Sequence, residues 1–209
     1  MPRVMGGSVA AHRAEQTRRL FASLRELLAE RGYDAITLAD IAEHAGMART
    51  AIYHYFADKD SLLVAATATE TEELLARLDD ELRSIDNPVD QLRAYLALQI
   101  EYVADSHLPP GSTLLVLVSD PAATAIRGHV AAIEARLHQI LRVGRDRRYF
   151  AIDDVDASVA MITACANRGA VVDPGRTLAD AVAATQAFVL RALGARLDPQ
   201  GRARRLPRR

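Results

Sequence analysis

The stretch 37–59, TLADIAEHAGMARTAIYHYFADK, constrains this chain more than any other. Thr37-Leu-Ala-Asp40 forms a capping-box pattern, in which the Thr hydroxyl and the Asp carboxylate satisfy each other's orphan N–H groups at a helix start. Behind it, Leu38, Ile41, Ala42 and Ala45 fall at i, i+3, i+4 and i+7, one apolar face of a short helix. Gly46 then supplies a backbone able to turn sharply out of that helix. A second short helix is expected next, with Ala48, Ile52 and Phe56 on its inner side. Its outer side carries Arg49, Thr50, Tyr53 and His54, with Ala51 beside them. Two short helices joined at a glycine, the second with a small, polar and aromatic outer face, predict a helix-turn-helix.

That outer face has the chemistry a DNA major groove requires. An Arg at 49 matches the fork of guanine O6 and N7, Thr50 a base-edge hydrogen bond, and Ala51 a thymine methyl. The hydroxyls of Thr37, Tyr53 and Tyr55 suit phosphate oxygens. Lys59 is the sole lysine of the chain, and it opens the next helix, where backbone N–H groups also favour an anion. The bland alternative is a helical hairpin with a solvated face. Cap, glycine and both apolar faces agree in register, which favours the DNA reading.

The run Thr37-Leu-Ala-Asp-Ile-Ala, then Ala45-Gly46, Ile52-Tyr53-His54-Tyr55-Phe56 and Lys59-Asp-Ser-Leu62, resembles the DNA-binding segment of TetR-type transcriptional regulators. The resemblance implies that Thr37, Tyr53, Tyr55 and Lys59 touch the DNA backbone. It places Arg49, Thr50 and His54 nearest the bases, and Ile52 and Phe56 in the core. Two positions depart from the pattern: Ala48 stands where the family usually has a Ser or Thr cap, and Ala51 where Thr is frequent. The missing cap costs the recognition helix about 1 kcal/mol and removes one phosphate contact. Beyond this motif the chain resembles the family in helix count and length alone.

Composition bounds the remainder. With 209 residues, 50% of them hydrophobic, the chain buries a real core in one or two domains. Its single cysteine excludes an intrachain disulfide framework and points to a reducing cytoplasm. The N-terminus lacks the apolar segment of a signal peptide, and the longest compact apolar run, 114–118, is far too short to span a membrane. Scarce aromatics and abundant alanine suit an all-α protein. Charge is uneven: the net is −1, yet residues 195–209 hold six Arg against one Asp.

In order, 1–12 is expected to be a disordered arm and 13–60 a three-helix DNA-binding domain. Helices are then expected at 59–83, 88–105, 121–143, 153–172 and 177–193, within a larger effector-binding and dimerisation domain, 61–195. Asn87-Pro88, Leu108-Pro-Pro-Gly111 and Asp120-Pro121 punctuate them, and 114–118 is either a short buried helix or an apolar connector. A basic disordered tail, 196–209, ends the chain. Asp153, Asp154 and Asp156 lie at a helix start, where carboxylates cap rather than bind a cation. No metal or cofactor is expected.

The last two long helices are apolar or small almost all round, so each needs cover on more than one side. A second copy supplies it, predicting a homodimer through a four-helix bundle that also matches a palindromic DNA site. The two helices before this pair, and the first of the pair itself, carry polar residues inside apolar stripes, as an effector pocket would: Tyr95, Gln99 and Tyr102, then His129 beside Ile133, then Cys165 and Arg168 following Met161. Each has an alternative as a satisfied core or interface group. The resemblance implies a small, often lipophilic effector there. The reading that results is a dimeric, sequence-specific regulator, most simply a repressor of a palindromic operator relieved by a small molecule. The alternative is a DNA-binding protein without an effector, governed by a protein partner or architectural in role. An enzyme is disfavoured, because the six histidines have no metal spacing and no nucleophile–base set or phosphate loop is present.

Overall fold

The computed structural model describes residues 5–106, 114–171 and 175–207, with side chains from residue 9 onward. Its helices are α1 (Met5–Arg31), α2 (Leu38–His44), α3 (Lys59–Arg83), α4 (Pro88–Asp105), α5 (Asp120–Asp146), α6 (Val155–Gly169) and α7 (Leu178–Ala192). A 3-10 turn, Ala51–His54, stands where the second helix of the motif was expected. Two-residue strands β1 (Arg196–Leu197) and β2 (Ala203–Arg204) close the chain as an antiparallel pair, with Arg196 opposite Arg204.

Caps written in the sequence set most helix starts. Asn87 accepts the Val89 N–H at 2.9 Å and Pro88 occupies the first turn of α4, a position where a missing N–H costs nothing. Asp58 and Ser61 cap α3 reciprocally: Ser61 N–H donates to Asp58 Oδ1 at 2.7 Å, and Asp58 N–H to Ser61 Oγ at 3.2 Å. Asp154 accepts the Ala157 N–H at 2.9 Å as the cap of α6. Its carboxylate therefore has the structural role expected of it, and among the described residues no acidic or histidine cluster suited to a metal occurs.

The described residues fall into two compact units. The first comprises those up to Thr69 together with 114–127, and the second comprises 70–106 with 128–171 and 175–207. This differs from a division at 60/61, because Leu62, Leu63 and Ala66 of α3 pack into the first core. That core gathers Leu20, Leu24, Leu28, Ile36, Ile41 and Ile52, and takes in Leu114 and Ile126 from farther along the chain. Residues 114–118 form a turn, closed by Leu117 N–H to the Leu114 carbonyl at 3.0 Å, and act as an apolar connector. Phe56, expected in the core, is half-buried, with its ring 6.1 Å from that of Phe21.

In the second unit α4 lies against both α6 and α7, which also pack on each other. Its core includes Leu78, Leu92, Tyr95, Leu96, Leu137, Phe150, Ile162 and Leu190. Among the described residues, 5–12 and 196–207 adopt regular structure where the composition predicted disorder. The arm 1–12 is helical from Met5 onward, since good helix formers such as Ala10, Ala11 and Ala14 outweigh the neighbouring glycines. The tail is likewise not disordered through residue 207. Its hairpin is held by Leu206 N–H to the Arg148 carbonyl at 2.6 Å, Arg93 Nη2 to the Gly201 carbonyl at 3.0 Å, and Arg205 over the Tyr149 ring. Arg208 and Arg209 of that tail lie outside the described residues, as does the Leu108-Pro-Pro-Gly111 break. Among the described residues no helix is long and apolar enough to cross a membrane.

Candidate nucleic-acid interface

The interface is built on α2. Thr37 has extended backbone, its hydroxyl accepts the Asp40 N–H at 3.2 Å, and Asp40 Oδ2 accepts the Thr37 N–H at 2.9 Å and hydroxyl at 2.7 Å. These bonds to the ionised carboxylate hold Asp40 below the ordinary carboxylate range. At the other end Gly46 adopts φ +70°. Its N–H donates to the Glu43 carbonyl at 3.0 Å, and Met47 N–H to the Ala42 carbonyl at 2.8 Å. This is a Schellman ending, which a left-handed glycine permits without strain.

The chain then makes successive tight turns: Ala51 N–H donates to the Ala48 carbonyl and Tyr55 N–H to the Ile52 carbonyl, each at 2.8 Å. No side chain caps this segment at Thr50. An α-helix of such length without a cap does not repay its nucleation cost, and the 3-10 form results. Its anchor is Ile52, fully buried. Opposite that anchor Arg49, Thr50, Tyr53 and His54 are exposed, and Ala51 is half-buried beside them. Tyr53 is 59% exposed, which leaves its ring and hydroxyl at the surface.

Three of the expected contacts carry a second duty. Thr37 is exposed, but its N–H and hydroxyl are both taken by Asp40. Tyr55 is half-buried, with the Arg13 guanidinium 5.3 Å from its ring centroid. Lys59 Nζ donates to the Tyr33 and Ile36 carbonyls at 2.5 and 3.0 Å and sits 3.9 Å from the Tyr33 ring centroid. It thus ties the start of α3 to the loop before α2, and one ammonium hydrogen remains for an anion. Tyr33 in turn donates its hydroxyl to Asp60, and burial together with that carboxylate pushes the phenol pKa up. On α1, Arg18 and Arg19 both pair with Glu15.

Two further residues belong to this surface. Glu43, on the last turn of α2, accepts from Arg49 Nη2 at 2.5 Å, and both side chains are exposed. That hydrogen bond raises the Arg49 pKa above its usual value. Arg13 reaches the turn from α1. Neither has a local signal: Glu43 meets Arg49 across the glycine, and Arg13 meets Tyr55 from far away in sequence.

The structure does not bring the eight effector candidates together. Tyr95, Gln99 and Ile133 are buried in the second core, at 2%, 7% and 8% exposure. Burial raises the Tyr95 pKa, and Gln99 Oε1 has no hydrogen-bond partner. Tyr102 is half-buried, with its hydroxyl 3.4 Å from Glu70 Oε2; His129 is half-buried on α5. Met161 is instead 68% exposed. Cys165 and Arg168 line an open groove of about 520 Å³ between α6 and α7, with Ala164, Ala184 and Phe188. Arg168 Nη1 donates to the Val171 carbonyl at 2.8 Å. The α6 candidates therefore belong to an outward apolar face.

Residues 18–66 match the family model of bacterial regulatory proteins, tetR family. The chain is 38% identical to the HTH-type transcriptional repressor Rv1474c of Mycobacterium tuberculosis over 76 residues. That match covers 36% of this chain and spans 38% of the repressor's length. It is 29% identical to the HTH-type transcriptional repressor KstR2 of Mycobacterium tuberculosis over 160 residues, 73% of this chain and 76% of that one. The fold is shared with the transcriptional regulator FadR of Bacillus subtilis in complex with stearoyl-CoA. The TM-score is 0.71 at 17% identity, over 83% of this chain and 97% of that chain.

Proposed function

Because this chain belongs to the TetR-type transcriptional regulators, we propose that it binds a palindromic operator as a homodimer and represses transcription until a small-molecule effector releases it. One observation carries the proposal. A capped α2 and a buried Ile52 hold four exposed side chains, Arg49, Thr50, Tyr53 and His54, on one tight turn. Arg49 supplies a bidentate donor for guanine, Thr50 and His54 adjoining base contacts, and Tyr53 a phosphate contact. Thr37, Tyr55 and Lys59 brace this surface and Ala51 packs within it.

The homodimer reading draws on α6 and α7. Met161, Val171 and Phe188 are 68%, 62% and 55% exposed, an apolar concentration that asks for cover. A second copy placed on a two-fold axis covers it and repeats the reading turn, as a palindrome requires. For the effector, the unpartnered Gln99 Oε1 and the hydroxyls of Tyr95 and Tyr102 give an apolar core a few polar anchors. An effector of mostly apolar bulk with a hydrogen-bond donor suits them, and the stearoyl-CoA held by FadR makes long-chain acyl thioesters the first compounds to screen. By linkage, a molecule that favours the DNA-free state is itself weakened by DNA to the same degree.

The test is selection of bound duplexes from random DNA, repeated with Arg49→Ala and Tyr53→Phe. A palindrome is expected. Arg49→Ala relaxes preference at one symmetric pair of positions, whereas Tyr53→Phe weakens all sequences alike. Binding without any selected motif would leave the architectural alternative standing.

A further inference from the structure

Glu43 was not among the residues expected at the interface, yet it holds Arg49, the longest exposed side chain on the reading turn and the one proposed above to read bases. Its Oε2 accepts from Arg49 Nη2 at 2.5 Å. The two side chains remain 63% and 68% exposed, so the pair lies in water on the outer surface rather than in the core. Pairs of this kind contribute little to folding. The pair also joins the two halves of the motif across Gly46, a place where packing alone leaves a long arginine free to wander.

We propose that Glu43 is a positioning residue that confers sequence discrimination on Arg49, keeping its guanidinium aimed at base edges and away from phosphates. The inference rests on the base-reading role of Arg49 proposed above. Arg49 carries five N–H donors, and the bond to Glu43 uses a single hydrogen of Nη2. The remaining Nη2 hydrogen and those of Nη1 still form the end-on fork that guanine O6 and N7 accept. A guanine therefore binds without breaking the pair. A phosphate does not enjoy this tolerance, because its charge must approach a carboxylate. Arg49 and Glu43 together are neutral, so the arginine adds little to the counterion-driven attraction that holds any DNA. Discrimination rises because non-specific binding falls while the base contact is kept.

Four full-length proteins test this: wild type, Glu43→Gln, Arg49→Ala and the double variant. Each is titrated, over a salt series, against the selected palindrome and a scrambled duplex of equal length. Glu43→Gln is expected to tighten the scrambled duplex about fivefold or more and to steepen its salt slope by about 0.9 for each phosphate gained. The palindrome should tighten less, so the ratio of affinities falls. In the Arg49→Ala background, Glu43→Gln should change both duplexes by one common factor. The proposal is overturned if Glu43→Gln leaves the ratio unchanged, or if the ratio falls equally without Arg49. Should Arg49→Ala alone leave the ratio intact, the base-reading role fails first, and the inference with it.

Discussion

Gly144, buried in the last turn of α5, is the position where one added methyl should cost most for its size. A Cβ there would lie 2.1 Å from Phe150 Cδ2 and 2.2 Å from Cε2. The ring cannot retreat easily: it is 2% exposed, and Tyr149 N–H and Phe150 N–H both return to the Gly144 carbonyl at 2.7 and 3.3 Å. In an open helix, Gly→Ala gains about 0.8–1.0 kcal/mol. Displacing a buried Phe costs about 3–5 kcal/mol. An overlap this deep leaves the ring no tolerable compromise, so the second effect wins and the net loss is about 3 kcal/mol. For a chain of this size that lowers Tm by roughly 6–12 °C. Thermal and urea denaturation followed by circular dichroism measure it. In a Phe150→Ala background the clash partner is gone, and Gly144→Ala should become neutral or stabilising by up to about 1 kcal/mol. Additive costs in the double variant, or a Gly144→Ala protein melting at or above wild type, would refute the reasoning.

Arg148 adopts φ 62° just after α5, a left-handed position that costs an L-residue about 1–2 kcal/mol. Arg148→Gly should therefore raise the unfolding free energy by up to about 1 kcal/mol after the extra chain entropy of glycine, read as a higher urea midpoint with an unchanged m-value; a lower midpoint would contradict this. The Thr37 hydrogen bonds depress the Asp40 pKa below 3.8. Their stabilisation is thus present in full above the unfolded-state value and disappears as pH falls through the lower folded value. The stability gap between wild type and Thr37→Ala should accordingly shrink on acidification from about pH 5 to pH 2; a constant gap would exclude the mechanism. Phe188→Asp places a charge on the outward α6–α7 face and should shift sedimentation from dimer to monomer at micromolar protein. A variant that stays dimeric would move the dimer interface elsewhere.

Much of the fold was legible because its punctuation is chemical. The α4 bounds, Pro88–Asp105, coincide with the expected 88–105, since Asn87 and Pro88 act locally. The α2 capping box likewise depends on residues three apart. What the sequence concealed is tertiary. Lys59, expected to face an anion, also gives its ammonium to two carbonyls and a ring of the loop before α2, contacts without any local pattern. The reading turn, expected as a helix lacking a cap at Ala48, is a 3-10 turn that starts later, with its cap position at Thr50, where no side chain caps it either. On α6 the apolar stripe does not reveal which side faces the core, and Met161, a pocket candidate by sequence, points outward. Ordering of residues 196–207 depends on the loop at 148–149 and on Arg93, none of them neighbours in sequence.

Guanine N7 methylation interference on the selected palindrome tests the central claim most directly, because N7 lies in the major groove, where Arg49 is proposed to read guanine. The account predicts that methylation at one two-fold-related pair of guanines blocks the wild-type protein, and that Arg49→Ala abolishes this interference while phosphate contacts persist. An interference pattern that Arg49→Ala leaves unchanged, or the absence of any major-groove interference on a duplex the protein binds tightly, would contradict it.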